Sequence, residues 1–73
     1  MKQLRANKIR AQRIIHTLEF YKESCLKETG QLGPDDLTDL LTDVRHYCDL
    51  TYLAYATHVN LAYDHYLAEL NGE

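Results

Sequence analysis

Apolar residues fall along this chain in two long stripes separated by one turn. Leu4, Ala11, Leu18 and Cys25 recur every seven residues, with Asn7, Ile14 and Tyr21 at the alternating positions. Such a repeat is the seam of a packed helix, and it predicts a helix over about 2–29. The one strong punctuation mark is Gly30-Gln31-Leu32-Gly33-Pro34-Asp35-Asp36. Glycine closes a helix in the left-handed conformation. Proline suits a first helical turn, and aspartates complement the positive end of a helix dipole. A turn is therefore expected over 30–35. Beyond it, Leu37, Leu40, Leu41, Val44, Tyr47 and Cys48 follow the i, i+3, i+4, i+7 rule. The same stripe continues through Tyr52, Tyr55, Val59, Tyr63, Tyr66 and Leu70. No Gly, Pro, Asn, Asp or Ser stands between Leu50 and Val59 to invite a break. The second helix is expected over about 35–70, either continuous or kinked or broken near 51–54. A second apolar row, Leu50, Ala54, Leu61 and Ala68, lies on its opposite side, and two apolar faces call for two neighbours.

Length turns those faces into an expectation about assembly. A chain of 73 residues makes one small domain, 1–73, and a core of that size is marginal alone. Disulfides, a metal or self-association make up such a deficit. There are two cysteines, the polar start MKQLRANKIRAQR has no signal-peptide core, and no apolar run is long enough to cross a membrane. Reduced thiols in a cytoplasmic setting are the expectation, which leaves self-association. The predicted architecture is all-α: an antiparallel helical hairpin that pairs into a homodimeric bundle.

Charge adds a second partner class to weigh. Residues 1–30 carry a net +4 and residues 31–73 a net −7. Lys2, Arg5, Lys8, Arg10 and Arg13 are the candidate nucleic-acid contacts, and a basic arm of this kind would make the chain a small regulator. These five span about 200° of a helix rather than one stripe. The chain is also acidic as a whole, unlike most nucleic-acid modules. Attraction between the two halves accounts for the asymmetry better, and nucleic acid is expected to bind weakly or not at all.

Candidate chemistry concentrates in Asp43–Asp49, DVRHYCD. Zinc ligands on a helix want a spacing of three or four on one face, and His46 and Cys48 are two apart. Cys48 falls on the apolar stripe and His46 away from it, so the cysteine lacks the nearby base a nucleophile needs. There is no glycine-rich phosphate loop. No catalytic residue, metal or cofactor is predicted, and the chain is not expected to be an enzyme. Five of the six tyrosines lie in the second half, where an apolar body with a polar tip suits helix seams and interfaces alike. The candidate partner-binding residues are Tyr52, Leu61 and Tyr63, with His58 and His65 beside Leu61.

DLLTDVRHYCD followed by AYDHYLAEL resembles small helical proteins of bacteriophages, prophages and plasmids. In those, a motif like L-L-T-D-L-R-H-Y-C-D precedes a Gly-Leu-Asp-aromatic turn and a helix ending in A-x-x-H-Y. The resemblance covers residues 37–70 and carries no established activity. It implies a mobile-element protein in a bacterial host, of a kind that often acts by binding a host protein. Here the turn positions read Tyr52-Leu53-Ala54-Tyr55. Tyrosine replaces the glycine that supplies a left-handed residue, and alanine replaces the capping aspartate. Losing both favours fusion of the two short helices, or at most a kink.

Overall fold

A computed structural model describes the backbone of residues 2–72 and the side chains of residues 5–72. It is all-helical, with no strand among the described residues. Helix α1 spans Lys2–Phe20 and runs into one π-helical turn, Tyr21–Cys25; α2 spans Pro34–Leu50 and α3 spans Tyr55–Leu70. The side chains of Lys2 and Leu4 lie outside the described residues.

The first helix ends about four residues earlier than its heptad pattern suggests. In the π turn the Leu26 N–H donates to the Tyr21 carbonyl at 3.0 Å. Lys27 then takes a left-handed φ of 58°, and the Glu28 N–H closes back on the Lys22 carbonyl at 3.0 Å. The left-handed closure expected of Gly30 is thus made by Lys27, while Gly30, at φ 107°, turns the loop farther on.

The larger correction is at 51–54, where the expected fusion does not occur. Tyr52 sits at φ 60°, its N–H approaches the Asp49 carbonyl at 3.5 Å, and the Leu53 N–H reaches the Cys48 carbonyl at 2.9 Å. That pattern is a Schellman closure, usually built on glycine. Thr51 adds a side-chain bond to the Tyr47 carbonyl at 2.8 Å. Helix α3 then starts from Ala54 without a side-chain cap. The turn survives although both residues that would favour it are gone.

Tertiary geometry explains why. Near its C-terminal end the first helix holds α2 through Lys22 and Asp36, and near its N-terminal end it holds α3 through Arg10 and Glu69. At 1.5 Å per residue, Lys22 and Arg10 are about 18 Å apart along the first helix. Asp36 and Glu69 would be about 50 Å apart on one straight helix. Both contacts form only if the return path bends, and the elbow at 51–54 supplies the bend. The three helices touch pairwise as a broad, shallow frame of 38 × 32 × 16 Å.

This frame encloses almost nothing. Cys48 is the one buried apolar residue among those described, and no large side chain is fully buried. The apolar stripes fall on helices as expected but do not close into packed seams: Ile14, Leu41, Val44, Val59 and Tyr66 all remain more than a third exposed.

The elbow yields a stability prediction. A left-handed non-glycine residue is disfavoured by about 1–2 kcal/mol, and the Tyr52 side chain, 96% exposed, gives up no packing when removed. Replacing Tyr52 by glycine should therefore raise stability by about 0.5–1 kcal/mol, after the extra freedom of unfolded glycine is subtracted. Urea denaturation of the two proteins at equal concentration checks this, and a destabilised Tyr52→Gly would contradict the assigned turn.

Candidate interaction surface

Each corner of the frame is held by a polar contact. At the first, Asp36 is only 7% exposed. Its carboxylate accepts the Gly33 N–H at 2.6 Å and the Lys22 ammonium at 3.2 Å. Lys22 also donates to the Gln31 carbonyl at 3.1 Å. Gly33 has no side chain with which to complete a capping box, so its carbonyl accepts the Asp36 N–H at 3.1 Å instead. The Gly33 N–H is the larger cause, and Lys22 a further one, holding the Asp36 carboxyl below the ordinary aspartate range against the opposing effect of burial.

At the second corner, Arg10 Nε lies 3.1 Å from Glu69 Oε2, and Asn7 donates to the Glu69 carbonyl at 3.4 Å. A groove of about 440 Å³ opens here, lined by Asn7, Arg10, Ala11 and Ile14 of α1 and Tyr66, Glu69 and Leu70 of α3. Arg10 is thus drawn onto α3 and away from the set expected to contact nucleic acid. At the elbow, Arg45 stacks over the Tyr55 ring at 5.2 Å and joins α2 to α3.

The partner-binding candidates fall on the elbow and α3. Tyr52 and Leu50, 96% and 79% exposed, project at the apex. Leu61, His58 and His65 are exposed on α3. Tyr63 stacks on Tyr66 with ring centroids 6.2 Å apart, so it belongs with the groove-side row rather than with the elbow.

Within DVRHYCD the structure separates the two groups chemistry would need together. Cys48 is buried at 5% exposure, and His46 is exposed. Three carboxylates do converge, those of Glu28, Asp36 and Asp39, within 4.8 Å of one another. Asp36 is already committed there to Lys22 and Gly33. The buried Tyr21 hydroxyl has no hydrogen-bond partner, and nothing in the structure explains it.

Sequence reading missed the structural role of Asp36, although the signal was present: a carboxylate three residues after Gly33 is at capping-box spacing. No local signal marks Arg10 and Glu69, which lie at opposite ends of the chain. No family model, curated protein or solved structure matches the chain.

Two expected outcomes test these contacts. Cys48→Asp, which buries an unpaired carboxylate, should cost about 3 kcal/mol or more, whereas His46→Ala should shift stability by less than about 0.5 kcal/mol. Thermal denaturation followed by circular dichroism separates the two. For Asp36, the folded-state pKa is depressed, so its contribution is complete above the unfolded value of about 3.9 and fades as pH falls through the folded one. Asp36→Asn should lower Tm at pH 7, and the gap to wild type should close in acid. A gap that stays constant through the acid titration would contradict the linkage.

Proposed function

We propose that this chain is a non-enzymatic phage or mobile-element accessory protein that acts by binding another protein in the bacterial cytoplasm, working as a homodimeric helical bundle. A host defence or replication protein is the proposed class of target. The reading is supported most directly by the elbow. Tyr52 is held in a strained left-handed conformation with its ring in solvent, next to an exposed Leu50. Strain kept at an exposed aromatic marks a binding position, and a tyrosine on a rigid turn loses little side-chain freedom on binding. The resemblance of residues 37–70 to mobile-element proteins supplies the biological setting.

A nucleic-acid regulator is the second reading. One observation favours it: Arg5, Lys8 and Arg13 are exposed and make no ion pair among the described residues. Binding through so few cations releases few counterions, so it is weak and is lost before physiological ionic strength is reached.

Affinity capture from host lysate at physiological salt tests the pair. A retained protein should be lost with Tyr52→Ala combined with Leu61→Ala, while circular dichroism of the double variant stays unchanged. Duplex DNA should bind only at low salt and release near physiological ionic strength. A submicromolar, sequence-selective DNA complex at physiological salt, abolished by Arg5→Ala and Arg13→Ala, would put the regulator reading first.

A further inference from the structure

The frame exposes far more surface than a folded monomer of its mass. Its accessible area is 6329 Å² for 8.5 kDa. The scaling for monomeric proteins gives about 4,700 Å² at this mass, so about 1,600 Å² is in excess. The Cα radius of gyration is 14.3 Å, against about 11 Å for a compact chain of this length. Part of this excess lies at the elbow, on Leu50 and Tyr52, and part on the helices. On each helix it includes residues of the apolar stripe: Ile14 on α1, Leu41 and Val44 on α2, Val59, Tyr66 and Leu70 on α3. The helices touch pairwise, and these residues stay more than a third exposed. The α1–α3 groove is the part of this surface that is already concave.

We propose that the open apolar face of the frame, centred on the α1–α3 groove, is covered by a second copy of this chain. The proposal rests on the dimeric part of the reading above and assigns its seam. Two observations select that occupant. If two copies buried two thirds or more of their combined excess of about 3,200 Å², leaving out the part at the elbow, the interface would fall within the obligate-homodimer range of roughly 2,000–5,000 Å². The second is the near absence of a core, with one buried apolar residue among those described. Whatever covers the face has to be present whenever the chain folds, and another copy is the one partner guaranteed at that moment. An obligate homodimer has this character: its fold and its association are one equilibrium. A domain needs two packed layers around its core, and the shallow frame provides one. The groove also carries a specificity element, because the half-exposed Arg10–Glu69 pair at its edge would be desolvated in the seam and would fix the register there.

The seam leaves the elbow outside. Tyr52 and Leu50 lie at the bend between α2 and α3, whereas the groove lies where α3 ends against α1.

Light scattering and a thiol footprint test the proposal. The intact chain at micromolar concentration should have about twice its 8.5 kDa mass. In a Cys25→Ser background, which removes the exposed thiol, cysteine is introduced at Ile14 or at Gln12 on the other side of α1, and labelling is read position by position so that any reaction of Cys48 on dilution is kept apart. Ile14→Cys should react with a maleimide roughly tenfold more slowly when concentrated than when diluted below dissociation, and Gln12→Cys should react fast at both. Ile14→Glu should abolish the dimer, and Gln12→Glu should keep it. Should Ile14→Glu unfold the chain, the footprint still decides. A stable 8.5 kDa monomer would overturn both the dimer and its seam. A dimer in which Ile14→Cys reacts equally at every concentration would overturn the seam and leave the dimeric reading standing.

Discussion

Asp36 sets how the first helix meets the rest of the chain. Its carboxylate takes one N–H from the loop it follows and one ammonium from a residue fourteen positions earlier. That single group caps α2 and locks the connecting loop to the end of the first helix. The other two corners are built the same way, by Arg10 on Glu69 and by Arg45 over Tyr55. Polar contacts have narrow geometry, so three of them fix the angles of three helices. They do not hold a fold together by themselves, because a half-exposed ion pair such as Arg10–Glu69 contributes about 0–1 kcal/mol. Geometry is decided inside the chain, and apolar surface that a compact monomer would bury stays exposed.

That division accounts for the pairing of features seen here. A conventional small bundle lets its stripes interdigitate and accepts the angles that result. In this frame the corners hold the helices open, and Ile14, Val44 and Tyr66 remain half-covered in consequence. Folding has to overcome about 1–2 kcal/mol of backbone entropy per residue, and one buried cysteine does not supply it. Under the proposed reading, association is a condition of stability rather than an addition to it, and it is linked to the same contacts that shape the monomer.

Much of this was legible in the residues. The helicity of the first stretch, that of the second half and the opposite facing of His46 and Cys48 are periodicity arguments, the turn before Pro34 is one of Gly and Pro chemistry, and both kinds are local. What was not legible is non-local. The elbow follows from a length mismatch between Lys22–Arg10 and Asp36–Glu69, and no window of sequence contains that comparison. Turn chemistry pointed the wrong way, since Tyr52 and Lys27 occupy left-handed positions that glycine normally takes. For the interaction candidates, Tyr52 was identifiable as a tyrosine of the second-half stripe and Leu61 as a member of the apolar row opposite it. The groove was not, because Ala11 and Tyr66 come together only through the bend.

The elbow and the open face also depend on different interactions. The elbow is closed by backbone hydrogen bonds from residues 51–53 to residues 47–49, together with the Thr51 hydroxyl, all within one turn of chain. The face depends on where three helices are pinned. Under the proposed reading, a substitution at Tyr52 changes what the apex can bind without altering the corners, and a substitution at Ile14 changes assembly without altering the Schellman turn. A strained tyrosine is tolerable at that position because the penalty is local and, under the same reading, small beside the burial that dimerisation would contribute. Glycine there would make a more stable turn and a blank apex. The conflict between local stability and an exposed ring is therefore the feature of this chain that most directly supports the proposed recognition at the elbow.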